Sequence, residues 1–325
     1  MQRGQHPLPA VVAGADWSAH PGGRALAVAR RSQGEHYVLI HLGEVPEGLG
    51  LFAELLRAAE DGPAVFGSDF PIGVPAAWAR RAGVADFPAL LRELDETSFS
   101  TFTAPAGSAR DIGLMRPFYP AHPAGARRRH LAEALGVASF AALLRRCDVA
   151  SHGCAPFWLV GPNQVGRAAI HAWRSLLRPA LRAGWPLRLW PFDGAMLTAA
   201  AGELVVAETY PSRYRRAWRG ADGSMLLRRL GLGVPRRLAD TVLGALAPER
   251  PRSHIGDALC ALLGLLAMVR GLIPCRPPRD PDIRRFEGWV VGLPAGRAGR
   301  QEPARSAQID KNRDVFACLE QILTP

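Results

Sequence analysis

Lysine is almost absent from this chain of 325 residues, since Lys311 is the only lysine among 40 basic residues. The formal net charge of +11 at pH 7 is therefore carried by arginine. Such an excess favours nucleic acid or another polyanion as a partner. The richness in alanine, glycine, proline and arginine also fits a GC-biased genome, and on that interpretation the charge identifies no partner.

Paired cysteines and long apolar runs are missing too. The five cysteines form no C-x-x-C pair, which argues against a disulfide framework or a zinc ribbon. The longest apolar run, residues 258–269, is shorter than the roughly 20 residues that span a bilayer. No leader-type apolar region with a cleavage site follows the first residues. We therefore expect a cytoplasmic protein without a membrane partner.

The chain does contain a recurring pattern, in which a short apolar run ends in one acidic residue and then a turn. The acids that end these runs are Asp16, Asp69 and Glu208. Apolar runs of this length predict buried strands of a parallel sheet. Ligands bind outside the carboxyl edge of such a sheet, so we expect the acids to gather there.

The order of elements predicts an α/β fold. Three strands with short connections must form an antiparallel meander, and a helix over residues 51–59 then leads to the Asp69 strand. This β-β-β-α-β start predicts a mixed sheet flanked by helices, in one domain over residues 11–292. Further predictions are a mainly helical insertion at about 75–186, a basic helix over 213–230, a last strand over 287–292, and a C-terminal tail over 293–325 with a short helix near 315–323.

A fourth acid, Asp257, precedes the apolar run at 258–269. Carboxylates at the ends of neighbouring parallel strands repel each other, and a divalent cation relieves that repulsion. Two such ions can activate water and stabilise the leaving oxygen in phosphodiester cleavage. We predict a Mg²⁺ or Mn²⁺ site with Asp16, Asp69, Glu208 and Asp257 as ligands and catalytic groups. For any one acid, a hydrogen bond in a turn or an interaction with a helix dipole is the alternative.

Two further residues are candidates for contact with the substrate. Arg213 follows the Glu208 strand and could contact phosphate, although a solvated helix face is the alternative. His254 lies three residues before Asp257 and could be a general acid or base, with a capping or surface role as the alternative. Asp193 could join the site as well, but Phe-Asp-Gly is also ordinary turn chemistry.

Several short motifs carry a resemblance to a known family. They are GADWS at residues 14–18, SDFPIG at 68–73, AETYP at 207–211, GDAL at 256–259 and EGW at 287–289. In this order they resemble the DUF429 family of predicted ribonuclease H-like nucleases. PFWLVG at 156–161 and WPFDG at 190–194 look like the branch with a helical insertion. The resemblance covers residues 11–292. It implies a ribonuclease H-like core and a metal-dependent acidic site at Asp16, Asp69, Glu208 and Asp257.

Three functions compete at this point. The first is a metal-dependent nuclease or phosphodiesterase that acts on DNA or RNA. The second is an ATP-dependent phosphotransferase of the actin or sugar-kinase type, in which Pro21-Gly22-Gly23 would form the phosphate-binding turn. The third is a non-catalytic protein that binds nucleic acid through its basic surface.

Overall fold

A computed structural model of the chain describes residues 8–96, 99–161, 165–218, 221–247 and 252–295. Within them, one mixed sheet of seven strands is flanked by helices, which confirms the α/β prediction and the β-β-β-α-β start. The strands are β1 Val11–Asp16, β2 Ala25–Arg31, β3 Tyr37–Gly43, β4 Ala64–Ser68, β5 Leu187–Leu189, β6 Leu204–Glu208 and β7 Leu232–Gly233.

The sheet has the strand order β5-β6-β4-β1-β2-β3-β7, which puts the strands with terminal acids next to one another. The first three strands pair antiparallel, whereas β1 with β4, β4 with β6, β5 with β6 and β3 with β7 pair parallel. The carboxyl ends of β1, β4 and β6 therefore lie side by side at one edge of the sheet.

Helices cover both faces of this sheet. In the described residues the α-helices are α1 Leu49–Ala59, α2 Ala76–Arg81, α3 Phe87–Glu93, α4 Arg128–Ala134, α5 Arg146–Ser151, α6 Gly166–Ala172, α7 Arg178–Arg182, α8 Pro211–Ala217, α9 Gly223–Arg229, α10 Arg236–Leu246 and α11 His254–Val269. A π-helical turn, Trp173–Leu177, joins α6 to α7. Among these helices none is long and apolar enough to cross a membrane.

Helix α11 is apolar all round because it is buried against the centre of one sheet face. It approaches β1 so closely that a Cβ on Gly14 would lie 2.2 Å from the Leu262 amide nitrogen. Glycine at this position is therefore what allows the contact. At the helix start, Ser253 is the N-cap, and its Oγ accepts a hydrogen bond from the Gly256 amide at 3.1 Å.

The opposite face of the sheet packs against α1 and against side chains from residues 75–186, the range predicted as an insertion. Helices α2 to α7 fall in this range. Its core is aromatic, with Trp78, Phe102, Phe118, Phe157 and Trp173 fully buried. Aromatic rings bury much apolar area for each side chain, which lets short helices pack stably.

Two predictions of secondary structure are wrong. Residues 287–292 form no regular strand: a π-helical turn covers Ile283–Glu287, and Val290 makes a single bridge to Glu208. Gly288 there has φ of +67°, a conformation that interrupts extended backbone. The helix expected over 213–230 is two helices, because the Asp222 side chain caps the start of α9. The tail beyond residue 295, with its expected helix at 315–323, lies outside the described residues.

Candidate functional site

The acids that end β1 and β4 come together at the carboxyl edge. Ala15 on β1 lies opposite Ser68 on β4, so the residues that follow, Asp16 and Asp69, are neighbours. Their carboxyl groups lie close enough to interact electrostatically, and the Trp17 amide donates to Asp69 Oδ1 at 2.8 Å. We call Asp16 and Asp69 the acid pair.

Burial and nearby negative charge raise the pKa of both members of the acid pair. Burial raises the pKa of Asp69 well above its ordinary value, and the charge of Asp16 raises it further. Burial also raises the pKa of Asp16; the His254 hydrogen bond opposes this rise and the charge of Asp257 adds to it. Within the described residues, neither carboxyl group has an arginine or lysine within 4.0 Å. Such a pair is unstable as two bare anions and is suited to binding a cation.

Helix α11 brings two more predicted residues to this edge. His254, at its first position, places Nδ1 at 2.5 Å from Asp16 Oδ2, in a hydrogen bond across the sheet edge. The His254 side chain is 57% exposed, so its other ring nitrogen can reach solvent. Asp257 lies one turn further along, and its Oδ1 accepts a hydrogen bond from Arg215 Nη2 at 3.0 Å. The structure thus groups Asp16, Asp69 and His254, with Asp257 nearby.

Glu208 is not brought into this group, although β6 is the neighbour of β4. Its side chain is fully buried, and both of its oxygens bind the guanidinium of Arg145, at 2.7 and 2.8 Å. The Ile72 amide also donates to Glu208 Oε2 at 2.8 Å. Burial raises the pKa of Glu208, while the charge and hydrogen bonds of Arg145 oppose that rise. Glu208 therefore has a structural role, since it fixes the segment that follows Asp69.

The partner of Glu208 belongs to an ionic network that the sequence did not reveal. Arg145 and Asp148 are fully buried, and Arg145 Nη2 lies 2.8 Å from Asp148 Oδ1. Burial alone would lower the pKa of Arg145, but the charges of Asp148 and Glu208 raise it well above its ordinary value. Glu287 extends the network, because its Oε2 accepts from the Arg146 amide at 2.9 Å. We call Arg145, Asp148, Glu208 and Glu287 the buried network. The one local sign in the sequence is an acid, Asp148, three residues after Arg145, and that spacing does not identify Glu208 as a partner.

Arg213 lies on α8, the helix that also carries Arg215. Burial lowers the pKa of Arg213, and within the described residues no acid lies within 4.0 Å of its side chain. The contact of Arg213 with substrate therefore stays a prediction. Asp193, in contrast, accepts a hydrogen bond from the Leu189 amide at 2.8 Å, as expected for a turn residue.

Whether a divalent ion such as Mg²⁺ or Mn²⁺ fits this site depends on the side chains that can act as its ligands. The described residues contain no group of three histidine, cysteine or acidic side chains arranged to hold a metal ion. Mg²⁺, however, keeps several waters and is commonly bound through one or two carboxylates together with phosphate oxygens of the substrate. The acid pair offers such a two-carboxylate site, because its mutual repulsion would be relieved by a cation. The residues present therefore fit the predicted ion with Asp16 and Asp69 as the protein ligands.

Comparison with known proteins gives no relative from which a function can be transferred. No family model, curated protein or solved structure matches the chain. The resemblance to the DUF429 family accordingly stays a prediction that rests on the short motifs alone.

Proposed function

We propose that this protein is a metal-dependent phosphodiesterase of ribonuclease H-like fold, which hydrolyses nucleic acid with Mg²⁺ or Mn²⁺ held by Asp16 and Asp69. The observation that carries the proposal is the acid pair itself. Two half-buried carboxyl groups meet at one sheet edge with no arginine or lysine within 4.0 Å among the described residues, whereas Glu208 on the adjacent strand is paired with Arg145. The β-β-β-α-β start of the mixed sheet supports the proposed fold.

Each residue has a defined part in this proposal. A bound divalent ion supplies Lewis-acid polarisation of a phosphoryl oxygen and activation of water. Asp16 and Asp69 hold the ion, and His254 orients Asp16 through its 2.5 Å hydrogen bond. The exposed ring nitrogen of His254 can exchange a proton with water or with the leaving oxygen. Asp257, held by Arg215, adds negative charge that favours a cation at Asp16.

The location of the site supports a ligand rather than a purely structural pair. The carboxyl edge of an open α/β sheet is where ligands bind in this class of fold. Arginines that outnumber the acids would attract a polyanion to the surface around the site. DNA and RNA are both consistent with this chemistry, and the cytoplasmic location expected from the sequence remains part of the proposal.

The test is cleavage of end-labelled single-stranded DNA and RNA with Mg²⁺, with Mn²⁺ and with chelator. We expect cleavage that requires the ion and falls at least about 100-fold in Asp16→Asn, since a ligand to the ion is lost. Asp61→Asn is the matched control, because Asp61 precedes the amino end of β4 and is exposed. Cleavage by Asp16→Asn at the wild-type rate would contradict the proposal.

Two other outcomes would support the competing functions. Metal-dependent ATP binding measured by calorimetry, without nuclease activity, would favour a phosphotransferase. Binding of DNA or RNA without cleavage under any metal condition would favour a non-catalytic binding protein. Asp16→Asn would then leave the affinity for nucleic acid unchanged.

A further inference from the structure

A guanidinium group, that of Arg24, lies at the same sheet edge as the acid pair. Arg24 immediately precedes β2, and its neighbour Ala25 is paired with Asp16 across the β1–β2 ladder. The Arg24 guanidinium carbon lies 5.1 Å from the ring centroid of Trp17, the residue whose amide binds Asp69. Arg24 is thus next to the acid pair through the backbone of Trp17.

The orientation of Arg24 is fixed by three hydrogen bonds. Its Nε donates to the Ser18 carbonyl at 2.6 Å, and its Nη2 donates to the Ala19 carbonyl at 3.0 Å. The third bond joins Nη2 to His171 Nε2 at 2.9 Å. Stacking on Trp17 holds the plane of the guanidinium as well. A side chain that usually has many rotamers is therefore pre-organised, which lowers the entropy lost when it binds a ligand.

His171 can accept this bond because its own protonation is determined by its neighbours. Ser175 Oγ donates to the His171 carbonyl at 2.7 Å and lies 3.1 Å from His171 Nδ1, so that Nδ1–H can donate to it. His171 Nε2 is then the free acceptor for Arg24. Burial, together with the charge of Arg24, lowers the pKa of His171, which favours the neutral ring. Arg24 therefore gains a hydrogen-bond partner but no counter-ion from His171.

The charge of Arg24 is not paired within the described residues. No carboxylate lies within 4.0 Å of it there, and Glu47 acts on it only at longer range. The two N–H groups of Nη1 have no protein acceptor among those residues, while Nε and Nη2 are fully used. A rigid guanidinium with two free donors matches the oxygens of a phosphate group.

We propose that Arg24 binds a backbone phosphate next to the phosphodiester that is cleaved, and that the substrate is consequently a polynucleotide rather than a small phosphoester. The proposal rests on the proposed function for the position of the cleaved bond. The acid pair, with its ion, takes one phosphate, and Nη1 of Arg24 takes a second phosphate along the strand. His171 and Ser175 are positioning residues for Arg24, because they hold it without contacting the strand.

The test measures binding without cleavage, so that it does not depend on activity. Fluorescence anisotropy of a labelled 12-nucleotide single strand, in chelator, gives the dissociation constant at several salt concentrations. The main variant is Arg24→Gln, which keeps a long planar side chain on Trp17 but removes the charge. Arg31→Ala is the matched control, since it removes one positive charge from the other end of β2.

We expect Arg24→Gln to weaken binding about tenfold, as for loss of one charge-assisted hydrogen bond. The slope of log affinity against log salt should decrease in magnitude by about 0.7, the value for one phosphate contact on a single strand. Arg24→Lys should keep the slope and lose part of the affinity, because it keeps the charge but not the fixed fork. Ser175→Ala should give a smaller loss of affinity with the slope preserved.

A second measurement separates this proposal from the proposed function. Hydrolysis of bis(p-nitrophenyl) phosphate, a diester with a single phosphate, should be lost in Asp16→Asn and unchanged in the control Arg31→Ala. An unchanged salt slope in folded Arg24→Gln, an equal effect of Arg31→Ala, or no binding of the strand at low salt would overturn the role of Arg24. If the slope changes but no variant or wild-type protein cleaves any diester, the phosphodiesterase proposal fails while the anion site stands.

Discussion

Neighbouring strands of this sheet end in the same kind of residue and yet have opposite surroundings. Glu208, at the end of β6, is fully buried and held by both terminal nitrogens of Arg145. The acid pair, at the ends of β1 and β4, has only His254 as a basic partner within 4.0 Å among the described residues. The difference lies in one arginine, Arg145 just before α5, which reaches the acid at the end of β6 and not the acid pair.

This comparison shows that an acid at a strand end has no fixed chemistry of its own. A buried carboxylate with a bidentate arginine is already satisfied and holds the surrounding chain in place. Two carboxyl groups that lie side by side repel each other as anions until one of them is protonated or a cation binds. Removing one partner of the buried network should therefore be costly, while the acid pair lowers stability unless a proton or a cation is bound.

The largest effect is expected when the buried network is broken. Arg145→Met would leave the buried carboxylates of Asp148 and Glu208 without their cation, and we expect a loss of about 3–5 kcal/mol in the free energy of unfolding. Urea denaturation followed by circular dichroism measures it. Arg30→Met is the control, because the Arg30–Glu60 pair is exposed and should contribute no more than about 1 kcal/mol. Equal losses in both variants would contradict the distinction.

The next effect concerns metal affinity. Titration calorimetry with Mn²⁺ should show at least about tenfold weaker binding in Asp69→Asn, because one of the two proposed carboxylate ligands is lost. Glu208→Gln should bind Mn²⁺ within about threefold of the wild-type affinity, since its oxygens face Arg145 and Ile72. A large loss of affinity in folded Glu208→Gln would instead make Glu208 a ligand, as the sequence analysis predicted.

The same two variants should change the free energy of unfolding in opposite directions. In chelator near neutral pH, Asp69→Asn should increase the free energy of unfolding by at least about 1 kcal/mol, since it removes a carboxyl group whose pKa burial and Asp16 raise. Glu208→Gln should decrease it, because a buried ion pair is lost. Urea denaturation of both proteins in parallel tests this, and a decrease in both would contradict the interpretation of the acid pair.

The smallest effect is the pH dependence of the stability gained in Asp69→Asn. The pKa of Asp69 is raised above 3.8, the value for the unfolded chain, so the folded state keeps a proton that the unfolded state releases. The stabilisation from this proton is complete below pH 3.8 and is lost as the pH rises through the folded-state pKa. The advantage of Asp69→Asn over the wild type should therefore shrink as the pH falls from 8 toward 4. An advantage that grows at low pH would contradict the sign of the shift.

The acid pair was predictable because it follows from local pattern and topology. Apolar runs identify β1 and β4 as buried strands, and parallel neighbours necessarily bring Asp16 and Asp69 to one edge. The true surroundings of Glu208 were not predictable, because Arg145 comes from a helix 63 residues away in the sequence. Side-chain pairing between such distant segments depends on how the helices of residues 75–186 pack, and neither spacing nor periodicity records that. The same is true of Arg24 and His171, which are 147 residues apart.

Two glycines, Gly73 and Gly288, allow close backbone contact between the turn after Asp69 and the segment around residue 288. The geometry of that turn therefore depends on a segment near the end of the described chain. A Cβ on Gly288 would lie 2.0 Å from the Ile72 carbonyl oxygen, and one on Gly73 would lie 2.2 Å from the Glu287 carbonyl oxygen. The turn after Asp69 is also tied to this segment by the Val74 amide, which donates to the Phe286 carbonyl at 2.8 Å. During synthesis, β1 and β4 leave the ribosome more than 200 residues before Gly288 does. The acid pair consequently cannot reach its final geometry until almost the whole described chain has been translated, and a nascent chain halted before Gly288 would carry both acids without the backbone that holds their loop.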